Sequence, residues 1–191
     1  MKPPLVLQVC CAPDEAWAVQ ALRSDYRLHC FFCNPNIFPP EEFDTRRDEA
    51  ARVAERYGVD FTADPYAPDQ WETAIKGYEH TPEGGRRCYR CFLLRFRRTA
   101  RFCRESGIPR FATVMSISPH KRIEMLNRAG VAAADDYGVE YVEFNLKKKD
   151  GFKKSIELSR KLALYRQDYC GCRLSLRERD RRAGKLAHKS E

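Results

Sequence analysis

The sequence has no apolar run that approaches the ~20 residues of a membrane span, and it has no internal repeat or low-complexity segment. Its N-terminal apolar stretch, residues 5–9, contains Gln8 and is shorter than the roughly 7–15 residues of a secretory signal core. We interpret this stretch as a first β-strand and expect a cytoplasmic protein. In the reducing cytosol, cysteines are more often metal ligands or catalysts than disulfides.

The chain of 191 residues fits one domain, and its 43% hydrophobic content is enough for a sizeable core. The net charge of +8 is concentrated in clusters of Arg and Lys at residues 86–101, 147–154 and 173–189. Such clusters are typical of a polyanion partner, nucleic acid first. Solvated helix faces are the alternative explanation, and charge alone does not decide between them.

The most informative feature is the arrangement of the nine cysteines. Six of them form three tight pairs: Cys10-Cys11, Cys88-x-x-Cys91 and Cys170-Gly-Cys172. An odd total counts against a complete disulfide framework, and one structural zinc takes about four ligands. Soft thiolates also bind iron–sulfur clusters. Six paired thiols exceed the four ligands of one such site and therefore indicate a metal cluster with an additional group beside it.

Short apolar runs alternate with segments of helical periodicity along the chain. The sequence predicts strands at residues 5–11, 27–33, 59–63, 111–115 and 140–144. It predicts helices at residues 14–22, 41–57, 90–106, 120–129 and 156–165. This alternation favours a single α/β domain with a mostly parallel sheet over residues 1–176. The basic residues 177–191 are predicted to be a frayed or disordered tail.

The three cysteine pairs are expected to meet at one edge of this sheet. Ligands of open parallel sheets bind outside the carboxyl ends of the strands, and Cys10-Cys11 closes the first strand. Cys88 and Cys91 share a helix face at positions i and i+3, and the glycine of Cys170-Gly-Cys172 allows a sharp turn. The sequence therefore predicts a metal site at the carboxyl ends of the strands.

Asp14 adds a carboxylate four residues after Cys10. Two thiolates and this carboxylate could hold a separate iron beside a cluster. As an alternative, Asp14 is the N-cap of the helix that follows, and both roles are compatible. The remaining cysteines, Cys30, Cys33 and Cys103, are predicted to be packing residues, because free cysteine is among the most buried residue types.

Three further polar residues are candidates for contact with a substrate. His120 follows Ser-Pro and could contact phosphate or act as an acid, or it is an ordinary residue of a helix start. Tyr165 and Tyr169 precede the last cysteine pair and could stack on or hydrogen-bond a substrate. Alternatively, both tyrosines belong to an amphipathic helix end.

Taken together, these motifs resemble the QueH family of epoxyqueuosine reductases. The matching segments run in order through nearly the whole chain, at residues 10–14, 34–46, 82–91, 116–121 and 164–175. The resemblance implies a Rossmann-like fold and a bacterial enzyme of the last step of queuosine biosynthesis. It implies reduction of the epoxide on the modified wobble base of a tRNA anticodon, by a [4Fe-4S] cluster with an additional mononuclear iron.

The resemblance also implies the metal ligands, which are Cys10, Cys11, Asp14, Cys88, Cys91, Cys170 and Cys172. Our sequence hypothesis places Cys10, Cys88, Cys170 and Cys172 on the cluster, with Cys11, Cys91 and Asp14 on the additional iron. Removal of an epoxide oxygen needs two electrons and protons, which implies a one-electron donor protein. The iron could act as a Lewis acid on the oxygen, and Asp14, His120, Tyr165 and Tyr169 are the catalytic candidates.

Two other classes of protein remain as alternatives. An RNA-binding module stapled by zinc would explain the charge and four cysteines, but it leaves two thiols unused. An ATP-using tRNA-modifying enzyme of related fold would carry a Gly/Ser-rich phosphate loop after the first strand. This chain has Cys-Cys-Ala-Pro-Asp at that position and no other glycine-rich phosphate cradle.

Overall fold

A sheet of five parallel strands forms the centre of the computed structural model, which describes residues 1–187. The strands are β1 (Pro4–Val9), β2 (Arg27–Phe32), β3 (Asp60–Ala63), β4 (Arg110–Thr113) and β5 (Glu140–Tyr141). Their order in the sheet is β3-β2-β1-β4-β5, and every neighbouring pair is parallel. The predicted Rossmann-like α/β fold is confirmed.

Helices connect the strands and cover both faces of the sheet. They are α1 (Ala12–Leu22), α2 (Pro40–Tyr57), α3 (Pro68–Ile75), α4 (Arg86–Ser106), α5 (Ile123–Tyr137), α6 (Gly151–Lys161) and α7 (Arg173–Ala187). Helices α2 and α4 end at Gly58 and Gly107, as predicted, because both glycines adopt the left-handed conformation that stops a helix. Among the described residues, no helix is long and apolar enough to cross a membrane.

Alternating side chains of β1 divide the core into two layers. Leu5 and Leu7 pack on one face with residues of α1 and α2. Val6 packs on the other face, against a layer that includes Phe96 of α4 and Leu126 of α5. All five side chains are buried. Burial on both faces explains why β1 is a nearly continuous apolar run.

The structure differs from the sequence prediction in several elements. Helix α5 spans Ile123–Tyr137 instead of 120–129, and β5 ends at Tyr141 instead of residue 144. Helices α3 and α7 had no predicted counterpart, and the end of the predicted fourth strand is a 3-10 turn, Val114–Ile117. Helix α6 occupies 151–161 instead of 156–165. Helix α7 runs through the boundary drawn at residue 176, so residues 177–187 are helical where a frayed or disordered tail was predicted. The rest of that tail, 188–191, lies outside the described residues.

The strand order places the crevice of the fold beside β1. Strand β1 lies between β2 and β4, and the direction of strand addition reverses between β1 and β4. Open α/β sheets bind ligands at this switch point, outside the carboxyl ends of the strands. Cys10 and Cys11 follow directly after Val9, the last residue of β1. The fold therefore presents two thiols at its natural binding crevice.

Candidate metal centre

A cavity of about 470 Å³ opens at the carboxyl ends of β1 and β4. Segments from across the chain line it, including the β1–α1 turn, the loop before α4 and the middle of that helix, the loop after β4 and the turn before α7. Its charged and thiol-bearing lining residues are Cys10, Cys11, Asp14, Glu83, Arg95, His120, Lys121, Arg166, Asp168, Tyr169, Cys170 and Arg182.

Cys10, Cys11 and Asp14 form one compact group of ligand atoms. Their two sulfurs and a carboxylate oxygen all lie within 4.8 Å of one another, and the sulfurs are 3.9 Å apart. Cys11 occupies the N-cap position of α1, so Asp14 lies in the first helical turn and is not the N-cap. The local chain path, a strand end followed at once by a helix, brings the three side chains together.

The surroundings shift the pKa values of Cys10 and Asp14 in this group in opposite directions. The hydrogen bond to Cys11 lowers the pKa of the Cys10 thiol to about 6 against the effect of burial, and Arg95 contributes to the lowering. Burial and, to a smaller extent, the charge of Cys10 together raise the pKa of Asp14 to about 7. The Ser155 hydroxyl, which donates to Asp14 Oδ1 at 3.3 Å, opposes this shift. A thiolate at Cys10 is therefore favoured near neutral pH.

The other four paired cysteines form a second group, Cys88, Cys91, Cys170 and Cys172. Cys91 and Cys172 pack in one small cluster with Trp71 and Ile75. Burial raises the pKa of Cys91 to about 12, Arg95 opposes this shift, and the charges of the other three thiols of the group add to the rise. The four thiols are thus close enough to interact, although α4 and the turn before α7 are far apart in sequence.

The turn that carries Cys170 and Cys172 is held by α2 and the loop before it. The buried Arg46 donates to the Cys170 and Tyr169 carbonyls at 3.2 and 3.3 Å. The Phe38 amide donates to the Gly171 carbonyl at 2.9 Å. These contacts join residues more than 120 positions apart and fix the direction in which the two thiols point.

Lys121 makes a direct contact with one thiol of the second group. Its Nζ donates to Cys170 Sγ at 3.1 Å and pairs with Glu83 at 2.9 Å. Burial works against the charged form, but Cys170 and Glu83 raise the pKa of Lys121 above its usual range. Gly84 contributes as well, because its amide donates to Cys88 Sγ at 3.2 Å. Both interactions stabilise negative charge on sulfur.

The structure brings some of the predicted catalytic residues to the cavity and not others. His120 lines it and is exposed. Tyr169 also lines it, but its ring packs against Arg46 and Arg179, and its hydroxyl donates to the Phe38 carbonyl. Tyr165 is not among the described lining residues, because its hydroxyl donates to a Glu42 carboxylate oxygen at 2.8 Å on the surface.

The three cysteines that the sequence assigned to packing are buried, as predicted. Cys33 donates to Asp64 at 3.1 Å, and Cys103 lies 3.6 Å from the Arg110 carbonyl. Burial, together with the charge of Glu15, raises the pKa of Cys30 well above its usual range. All nine cysteines are free thiols. The core thiols are thus protonated, in contrast to Cys10.

Sequence reasoning missed several lining residues, of which Arg95 and Lys121 are the most prominent. Arg95 stands four residues after Cys91, so helical spacing places it on the same face as Cys88 and Cys91. That spacing was a usable signal. Lys121 had none, since its contact with Cys170 depends entirely on the tertiary fold.

The fold is shared with a solved tRNA-modifying protein. The chain superposes on the U34-tRNA thiolase NcsA from Methanococcus maripaludis, solved with its [4Fe-4S] cluster, with a TM-score of 0.53. The match covers 88% of this chain and 60% of the thiolase, at 15% sequence identity. At this identity the likeness supports the α/β fold alone.

Closer similarity is found among curated proteins. The chain is 38% identical to the epoxyqueuosine reductase QueH of Acinetobacter baylyi, over 93% of this chain and 82% of that protein. It is 34% identical to QueH of Thermotoga maritima, over 97% of this chain and 96% of that protein. The model of the family described as epoxyqueuosine reductase QueH matches residues 5–178. The chain therefore belongs to the QueH family of epoxyqueuosine reductases.

Proposed function

We propose that this chain reduces the epoxide of epoxyqueuosine in tRNA to queuosine, the last step of queuosine biosynthesis. The observation that carries the proposal is the family match over residues 5–178. The thiol-lined cavity at the switch point of the sheet supports it, because a reductase of this kind needs a redox group beside its substrate. The reaction would take place in the cytoplasm with electrons from a one-electron donor protein.

The donor set of the cavity fits a [4Fe-4S] cluster with an additional iron. Three free thiols and the Asp14 carboxylate line the cavity, and the other three paired thiols lie close enough to interact with Cys170 or with one another. Soft sulfur ligands are those that iron–sulfur clusters use. The lowered pKa of Cys10 favours the thiolate that binds metal. The thiolase NcsA, which has the same fold, was solved with a [4Fe-4S] cluster, so a fold of this type can hold one.

The grouping of the side chains supports a division of ligands that differs from the sequence hypothesis. We assign the cluster to the second thiol group, Cys88, Cys91, Cys170 and Cys172. We assign the additional iron to the first group, Cys10, Cys11 and Asp14. This division keeps together the ligand atoms that lie within 4.8 Å of one another, whereas the sequence hypothesis separated Cys10 from Cys11.

A cluster held by the second thiol group would supply electrons one at a time, and an iron held by the first group would supply Lewis-acid chemistry toward the epoxide oxygen. Two electrons and two protons convert the epoxide to the alkene, and the oxygen leaves as water. Asp14 would hold the iron. His120 is the best placed proton donor among the predicted candidates, since it is exposed on the cavity wall. Tyr169 is occupied by the Phe38 carbonyl, and Tyr165 lies outside the cavity.

Cations around the cavity would bind the tRNA backbone. The exposed Arg166 and Arg182 line the cavity itself, and the chain carries a net charge of +8. Such charge binds phosphates, while an unstacked anticodon base enters the cavity.

The first test is the iron and acid-labile sulfide content after anaerobic reconstitution. We expect about five iron and about four sulfide per chain, with absorbance that bleaches on reduction by dithionite. The same sample should convert epoxyqueuosine tRNA to queuosine tRNA, as measured by nucleoside mass spectrometry. One zinc without sulfide would contradict the proposal and support the zinc-stapled RNA-binding module.

The second test is Asp14→Ala. We expect this variant to retain most of the cluster absorbance and all of the sulfide, but to lose one iron and all turnover. The matched control is Asp168→Ala, another carboxylate of the cavity lining, which pairs with Arg179 on the surface. Activity of Asp14→Ala close to that of the wild type would reject the separate iron.

A further inference from the structure

Arg95 differs from the buried Arg46 and Arg87 in the kind of group that surrounds its positive charge. Arg46 and Arg87 are buried and form ion pairs with Glu42 and Glu178, at 2.7 and 2.8 Å. The Arg95 side chain is also buried, with 2% of its surface exposed. Within residues 1–184, however, no carboxylate forms an ion pair with it. A buried charge without a counter-ion is strongly unfavourable, so an anion has to be found elsewhere.

Neutral acceptors hold the guanidinium in place. Its Nη2 donates to Asn34 Oδ1 at 2.6 Å, its Nε to the Cys33 carbonyl at 3.2 Å, and its Nη1 lies 3.3 Å from Met115 Sδ. These acceptors follow the carboxyl ends of β2 and β4, on either side of β1. They fix the position of the group and leave its positive charge uncompensated.

The cavity supplies anionic surroundings for the Arg95 charge. Arg95 lines the cavity together with Cys10, Cys11 and Cys170. Its charge interacts with the thiols of Cys91, Cys10, Cys33 and Cys170. Three of these thiols belong to the two ligand groups, and Cys33 is a buried thiol of the core. Arg95 therefore lies between the two sets of thiols, and thiolates bound to a metal cluster keep a net negative charge.

We propose that Arg95 is the fixed counter-cation of the metal–thiolate centre and raises its reduction potential. Reduction adds one negative charge to the centre, and a buried cation nearby stabilises the reduced state more than the oxidised one. Arg95 touches no reacting atom in this role and acts only through its charge. This inference rests on the proposed function, because it requires the cluster.

The test is a redox titration of reconstituted Arg95→Met and Arg95→Lys, followed by absorbance and EPR. For Arg95→Met we expect at least a tenfold loss in the equilibrium constant for reduction, a fall of about 59 mV in a one-electron potential. Arg95→Lys keeps the charge and should stay within a few-fold of the wild type. Arg97→Met, an exposed position of α4 that pairs with Asp136, is the matched control and should show no shift.

A second variant neutralises the charge without removing the guanidinium. Asn34→Asp places a carboxylate at the atom that already accepts from Nη2. We expect it to lower the potential in the same direction as Arg95→Met, even if Arg95→Met folds poorly. A normal iron and sulfide content with wild-type potentials in both variants would overturn the role of Arg95. A wild-type protein without iron and sulfide would instead reject the proposed function itself.

Discussion

The two ligand groups of the cavity are built in different ways. Cys10, Cys11 and Asp14 belong to one segment of five residues, and the path from β1 into α1 brings their ligand atoms within 4.8 Å of one another. The second group combines α4 with the turn before α7, and Arg46 of α2 holds that turn. The first group is thus fixed by local backbone geometry and the second by long-range contacts.

This difference indicates where the centre is vulnerable. A substitution far from the first group should leave it intact, because its geometry follows from a strand end and a helix start. The second group should respond to changes in residues that carry no ligand atom. Under our assignment of ligands, the content of acid-labile sulfide measures how much cluster the second group holds. The iron in excess of that cluster measures how much metal the first group holds.

The largest effect is expected for removal of a thiol from the second group. Cys91→Ala should lose nearly all acid-labile sulfide, because a [4Fe-4S] cluster normally takes four cysteine ligands. Cys103→Ala is the matched control, since Cys103 is buried on the same helix and lies outside the cavity. Cys11→Ala should keep its sulfide and lose one iron. Wild-type sulfide in Cys91→Ala would contradict the division into two groups.

Gly171→Ala should have the next largest effect. Gly171 has a φ of +131°, and an added Cβ would lie 3.2 Å from Arg46 Nη1 and from Ile37 Cγ1. Such strain costs on the order of 1–3 kcal/mol, and we expect metal to be retained about tenfold less well. The rate of cluster loss to a chelator measures this retention.

Gly138→Ala provides the control for this strain. Gly138 also has a positive φ, +66°, but an added Cβ would meet nothing within 4 Å. This variant should lower the free energy of unfolding by about 1 kcal/mol and lose its cluster at the wild-type rate. Equal rates of loss for both glycine variants would show that the turn is not fixed by this packing.

Arg46→Met should have a smaller effect on sulfide and a clear effect on stability. It leaves two carbonyls of the turn without their donor and breaks the ion pair with Glu42. We expect the free energy of unfolding to fall by about 3 kcal/mol, as measured by urea denaturation. Arg47→Met, an exposed neighbour on α2 with surface ion pairs, should change it by less than about 1 kcal/mol. Equal losses in both variants would contradict the role of Arg46 as a clamp.

The smallest effect is expected for Ser155→Ala, which tests the first group. The variant removes the hydroxyl that donates to Asp14 at 3.3 Å, which is worth about 1 kcal/mol or about fivefold in iron affinity. Sulfide content should not change. Ser106→Ala, at the end of α4, removes an exposed hydroxyl that donates to the Phe102 and Cys103 carbonyls and is the control. A loss of sulfide in Ser155→Ala would mean that the two groups are not independent.

The same contrast explains which parts of the structure the sequence predicted. The order of strands and helices followed from local periodicity, and so did the thiols at the end of β1. Helix α3 was missed because it has only eight residues. Helix α7 was missed because its many arginines leave few apolar residues from which a helical period can be read. A strongly charged segment at a chain end was therefore interpreted as frayed.

The surroundings of the thiols could not be predicted to the same extent. Lys121 reaches Cys170 across 49 positions, and Arg46 reaches the same residue across 124. No local pattern encodes such pairs, whereas the spacing of Cys91 and Arg95 on one helix does. The division of ligands depends on these distances in space, and for that reason the structure supports a division that the sequence did not.

The dispersed origin of the second thiol group also has a consequence for synthesis on the ribosome. About 80 residues separate Cys91 from Cys170, which corresponds to about 4–16 s at about 5–20 residues per second. During this interval the β1–α1 turn and the first thiols of α4 already exist, but the turn that completes the group does not. The first group can thus form on the nascent chain, and the second has to wait.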